Sequence, residues 1–152
     1  MNEWRGRCLD VFARAETAVT ECLVAMSAAG ERGRDVGLPH LAGQRYEALA
    51  AMIGEGGPFA AEGVGVLGTL GRFRAHQHFR NVLAHSVGKV TLDRQGRWTV
   101  VLRLVSLRSG QVCREAVALN AQEAEELRVN VSRLGADLSS QLGQLRKRLT
   151  AG

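Results

Sequence analysis

Aromatic side chains make up only 5% of the 152 residues, and lysine is nearly missing: Lys89 and Lys147 stand beside 18 arginines. The first shortage means that a core must be built mainly from leucine, valine and alanine. The second places almost all positive charge on planar guanidiniums, which grip phosphate through paired hydrogen bonds. The net charge of +5 therefore admits a nucleic-acid partner, although a genome rich in G and C produces the same arginine bias with no partner at all. Cysteine is scarce too. Cys8, Cys22 and Cys113 are odd in number, far apart and never in a CxxC pair. That speaks against a disulfide framework and against a zinc finger, and each reads as a small buried hydrophobe. No apolar run approaches the length of a membrane span. The opening residues are polar and charged, so no signal peptide is read. The expected setting is a reducing cytoplasm, where the "NVS" sequon at Asn130 has no meaning.

What is present suits one domain over residues 1–152. Hydrophobic content of 45% and charged content of 23% are near the globular average. A chain of this length buries roughly two-thirds of its unfolded surface. Trp4, Cys8, Phe12, Ala15, Val19, Cys22 and Met26 recur at helical steps and predict a helix over 2–29. A second is predicted over 41–54, with Tyr46, Leu49 and Ile53 on one face. "GEGGP" breaks the chain after it. A third runs over 64–86; Gly63, Gly65, Gly68 and Gly71 near its start imply either a late onset or close packing, and a late onset is favoured. Residues 89–119 then turn β-branched and partly alternating. "RQG" and "RSG" divide them into a three-stranded antiparallel meander with a basic side carrying Lys89, Arg97, Arg103 and Arg114. Asn120 and Glu123 resemble a capping box before a long last helix over 121–149, whose Leu127, Val131, Leu134, Leu138, Leu142, Leu145 and Leu149 keep near-heptad spacing. The expected fold is mainly α, a helical bundle with the meander inserted before the C-terminal helix.

Most chemical signals in the chain are weak. "GVGVLG" at 63–68 fits GxGxxG, but no strand precedes it and no βαβ pattern follows, so no dinucleotide is expected. His76 and His78 are two apart, which on a helix turns them in different directions. They read as surface or interface residues rather than a metal pair, and no cofactor is expected. Glu16 and Glu21 read as a solvated helix face with a cleft as the alternative, and "RKR" at 146–148 as a solvated helix end.

"FRNVLAHS" at 79–86 is different. His85 is suited to proton transfer near neutral pH. Arg80 is suited to phosphate and to developing negative charge, and Asn81 can orient either group. Asn81 and His85, four apart, share a helix face. Arg80 and His85, five apart, lie about 140° apart around the axis. The three converge only if the helix ends or bends near Ala84, or if a second copy supplies the missing group. By spacing alone, a histidine at a helix end and an arginine on the surface are the favoured explanation of the stretch.

"RNVLAH" resembles the RNxxxH form of the catalytic motif of the HEPN superfamily, small α-helical domains with the motif late in the bundle. The resemblance implies a metal-independent endoribonuclease acting on RNA. Two motifs would meet in a basic cleft of a homodimer formed through the motif-bearing helix, with the RNA 2′-OH as nucleophile. It implies His85 as general acid and base, Arg80 as the phosphate-binding group and Asn81 as a polar helper. It also brings a toxin–antitoxin or anti-phage setting with an antitoxin partner. The meander of about 30 residues beside the motif departs from the simplest family pattern. Two other readings stay open: a non-catalytic RNA- or nucleotide-binding module, and a structural protein that oligomerises through the third helix and the leucine-rich last helix.

Overall fold

The computed structural model describes residues 1–151. Among them run α1 (Asn2–Ser27), α2 (Ala42–Ile53), α3 (Ala60–Arg74), α4 (Gln77–His85), β1 (Val87–Leu92), β2 (Trp98–Arg108), β3 (Gln111–Asn120) and α5 (Ala121–Thr150). A short 3-10 turn over Gly30–Gly33 follows α1. The fold is mainly helical, with a three-stranded antiparallel sheet placed directly before the long C-terminal helix.

The stripe from Trp4 to Met26 is buried along the whole length of α1. It packs against Val131, Leu134, Leu138, Leu142 and Leu145 of α5 and shares its core with Tyr46, Leu49, Leu70 and Phe73 of α2 and α3. Phe12 meets Phe73 with ring centroids 5.4 Å apart. The Trp4 indole N–H donates to the Ala124 carbonyl at 2.8 Å, joining the start of α1 to the start of α5. The near-heptad leucines of α5 are thus consumed inside the chain, and the last helix keeps no free leucine seam for a coiled coil. Its start is a capping box: the Asn120 side chain accepts from the Glu123 amide, and the Glu123 carboxylate accepts from the Asn120 amide.

The third predicted helix differs from expectation in two ways. It begins at Ala60, so the glycines lie inside it, and it is two helices rather than one. Gly63 is buried against α2, where a Cβ would fall on the Ile53 side chain. Close approach of α2 and α3 is therefore the reason for glycine here, and the cost of a helical glycine is offset by packing. Gly65, Gly68 and Gly71 face open space and have no such role. The run then breaks at Ala75 and His76, and α4 sets off to place Val82 and Leu83 in the core beside the first turns of α1.

In the meander β2 pairs with both β1 and β3. Val100, Leu102 and Leu104 of β2 point inward and are buried, while the residues between them face outward. Ser109 and Gly110 have positive φ, 50° and 77°. That combination defines the tight two-residue hairpin turn whose twist matches the strands, and it fixes the register of Arg108 opposite Gln111.

Substitutions at two neighbouring glycines should act in opposite directions. Gly63→Ala should cost about 1–3 kcal/mol by overpacking. Gly65→Ala should stabilise by up to about 1 kcal/mol through helix propensity. Urea midpoints of the two variants give the comparison, and equal shifts would remove the packing explanation.

Candidate functional site

Helix α4 is short, and its two ends decide where the motif sits. At its beginning the His76 carbonyl accepts from the Arg80 amide at 3.0 Å. At its end the Ser86 amide still donates to the Val82 carbonyl at 3.0 Å, and only then does Ser86 turn to extended backbone and lead into β1. Arg5 of α1 caps this switch by donating from its guanidinium to the Ser86 carbonyl at 3.1 Å. Trp4 and Phe79 pack beside it, ring centroids 6.3 Å apart. His85 is therefore the last helical residue. The helix ends one residue past Ala84, too late to swing His85 round towards Arg80.

The motif residues occupy the outward half of α4. Asn81 and His85 are exposed. They lie about 40° apart around the axis, with Asn81 between His85 and Arg80. Among the described residues, neither side chain hydrogen-bonds to another group of the chain. Arg80 is different. It is part-buried and donates from Nε to the Glu16 carboxylate of α1 at 3.2 Å, with side chains 29% and 17% exposed. Arg80 is thus held on one flank of the motif while His85 stands free on the other. The structure pairs Asn81 with His85 on one face and does not bring Arg80 and His85 together within one chain.

Around Arg80 lies a polar cluster of which the sequence had offered only Glu16, as a possible cleft carboxylate. Tyr46 is buried, and its hydroxyl sits beside the Gln77 amide without forming a full hydrogen bond; both atoms lack partners. Burial drives the Tyr46 hydroxyl well above its ordinary range, the negative charge of Glu16 adds to this, and Gln77 and the Arg80 and Arg45 guanidiniums oppose it. It is a neutral donor near neutral pH. Glu16 and Arg45 also line a shallow groove of about 360 Å³ between α1 and α2. Glu16 is therefore not on a solvated face, as its spacing had favoured, because the arrival of α4 covers it. Glu21 keeps the solvated reading and pairs with Arg146. The sequence had offered a cleft for Glu16 only as the alternative to a solvated face, and nothing in it pointed to Arg80 as the partner.

The other candidates separate. His76 stands at the N-cap position of α4 without a capping hydrogen bond from its side chain, and burial lowers its pKa from the usual imidazole value. His78 instead reaches Glu115 of β3 at 2.6 Å and ties α4 to the sheet. Among the described residues no group of three His, Cys, Asp or Glu side chains gathers as a metal site requires. Cys8 and Cys22 are buried, and that burial pushes both thiols up to about 11. They stay protonated at neutral pH and are not nucleophiles. The glycines of 63–68 lie within a helix with no strand before it, so they cradle no phosphate. No helix is long and apolar enough to cross a membrane among the described residues.

Comparison with protein-family models, with characterised proteins and with solved structures gives no match to this chain.

The Arg80–Glu16 pair can be measured directly. Glu16→Ala should cost about 1–2 kcal/mol, as expected for a lost hydrogen bond to a charged group. The double variant with Arg80→Ala should cost less than the sum of the singles, with a coupling of about 0.5 kcal/mol or more. A double-mutant cycle in urea tests this; strict additivity would mean the contact contributes nothing.

Proposed function

We propose that the chain is a HEPN-type endoribonuclease that cleaves RNA without a metal ion and works as a homodimer across the outward face of α4. The observation that carries this reading is the placement of the motif. Arg80 is pinned by Glu16, while Asn81 and His85 are exposed on the same helix and used by nothing else in the chain. A histidine serving only as a helix end has no need of an anchored guanidinium one turn earlier.

In this reading His85 takes the proton of the RNA 2′-OH as O2′ forms its bond to phosphorus. The P–O5′ bond breaks, and the 5′ oxygen leaves with a proton from solvent or from the second copy's motif. The products are a 2′,3′-cyclic phosphate and a 5′-hydroxyl. Arg80 stabilises the charge that builds on the non-bridging oxygens, and its Glu16 partner fixes its direction before substrate arrives. Asn81, next to His85 on the helix, orients the imidazole or the ribose. The helix separates Arg80 from His85 by about 140°, so a full set of groups around one phosphate needs Arg80 of one copy and His85 of another. A toxin or defence role with an antitoxin partner belongs to the same proposal and comes from the motif's resemblance alone.

A second reading has its own support. Exposed Asn81 and anchored Arg80 also suit binding of RNA or a nucleotide without cleavage. The structural reading is weaker, because the leucine seam of α5 is filled by the chain's own helices.

His85→Ala and Arg80→Ala should each reduce cleavage of a labelled single-stranded RNA by about 10²–10⁴-fold, the range for loss of an acid–base or charge-stabilising group. Activity should persist in EDTA, and His85→Ala should melt like the parent. RNA binding without cleavage, unaffected by His85→Ala and weakened by Arg80→Ala, would select the binding module instead.

A further inference from the structure

The segment from Val87 to Asn120 carries six basic side chains against two acidic ones, which is four of the chain's five net positive charges. Both acids are engaged, Asp93 with Arg97 and Glu115 with His78. Elsewhere most arginines pair with a carboxylate, as Arg7, Arg14, Arg32, Arg34, Arg128 and Arg146 do. Lys89, Arg103 and Arg114 do not: among the described residues none of them has an ion pair or a side-chain hydrogen bond.

The register places these three together. Inward-facing Val100, Leu102 and Leu104 put Arg103 on the outward face. Arg103 pairs with Val87 and Ala116, and Val87 is two residues from Lys89 as Ala116 is from Arg114. Lys89 pairs with Val101, on one side of Arg103 along β2, and Arg114 with Val105, on the other side. The cations therefore form one diagonal line across the sheet, at the spacing of about 7–8 Å of diagonal neighbours. The one acidic residue in register with this face, Asp93 at the tip of the β1–β2 hairpin, is held by Arg97, and exposed Val87, Val105, Leu107 and Val112 lie around the line. No element of the chain covers it. The line also starts close to the motif, since β1 begins two residues after His85.

We propose that this outward sheet face binds the phosphate backbone of an RNA strand and leads it to His85. The proposal rests on the RNA reading given above and extends it from the reaction to the substrate path. Charge selects the occupant. A second copy laid face to face would bring six cations together with no acid between them, whereas a polyanion is matched by an unbroken row of them. The face has no aromatic side chain on which bases could stack, so its contacts are to phosphate and sugar. Such contacts hold position and carry no sequence information; discrimination between RNA sequences has to come from elsewhere.

The test measures binding of a fluorescent single-stranded uridine oligonucleotide in a His85→Ala background, where cleavage does not interfere. Combining Lys89→Gln, Arg103→Gln and Arg114→Gln should weaken binding roughly ten-fold or more at physiological salt. It should also flatten the dependence of log affinity on log salt by about 2, for three contacts at about 0.7 each. Removing equal charge through Arg7→Gln, Arg14→Gln and Arg34→Gln should leave both nearly unchanged. If the combined variant does not fold, Arg103→Gln alone should still flatten the slope by about 0.7. Unchanged RNA affinity in the sheet variant overturns the proposal, as does an equal loss in the control. Loss of binding to phosphatidylserine vesicles with RNA binding intact overturns it in favour of a membrane surface. The sheet can fail while the parent still cleaves RNA, which leaves the nuclease reading standing. Conversely, a parent that cleaves nothing but loses RNA through the sheet variant supports the sheet and removes the nuclease.

Discussion

The buried stripe of α1 is the constraint on which the remaining elements depend. From Trp4 to Met26 one face of this helix is out of water along its length, and α2, α3, α4 and α5 each cover part of it. With few aromatics available, the core relies on a long contact between two extended helices rather than on a few large rings. Burial at about 25 cal/mol per Å² of apolar surface makes that seam the dominant favourable term. It also sets positions elsewhere. Trp4 hydrogen-bonds α5, Arg5 holds the carbonyl where α4 becomes β1, and Glu16 receives Arg80. One helix therefore supplies both the core and the polar contacts that orient the motif.

The same contacts divide the motif into a fixed part and a free part. Arg80 is anchored, with the Tyr46 hydroxyl and the Gln77 amide close by. Asn81 and His85 stand on the open side of the helix. A fixed arginine and a free histidine are the arrangement that the proposed dimeric RNA-cleaving site calls for. The sheet continues directly from the motif helix, and Lys89, Arg103 and Arg114 face outward from it without an acidic partner.

Much of this was legible in the sequence, where periodicity was strong. The stripes of α1 and α5 predicted the buried residues, and the change to alternating β-branched residues predicted the meander within two residues of its observed strands. Asn120 and Glu123 predicted the cap that forms. The glycine-rich run was misjudged, because propensity weighs each glycine against alanine and cannot see that Ile53 occupies the space beside Gly63. The division between α3 and α4 was missed for a related reason. No proline or loop composition marks Ala75 and His76, and the turn there serves contacts with α1 that are distant in sequence. At the site, the identity of Arg80, Asn81 and His85 was visible, but their partners were not. Glu16 and Tyr46 are 64 and 34 residues away from Arg80, and only the packing of three helices brings them beside it. That Lys89, Arg103 and Arg114 share one line also needed the register, since the sequence showed only that the meander had a basic side.

The most direct measurement of the central claim is the chemistry of the cleaved ends. Purified protein is incubated with a single-stranded RNA and with the same sequence carrying 2′-O-methyl groups, in EDTA, and the products are analysed by mass spectrometry. The RNA should be cut to 2′,3′-cyclic phosphate and 5′-hydroxyl ends, the methylated strand should stay untouched, and His85→Ala should give about 10²–10⁴-fold less product. Cleavage of the methylated strand, undiminished cleavage by His85→Ala, or intact RNA after incubation with the parent protein would contradict it.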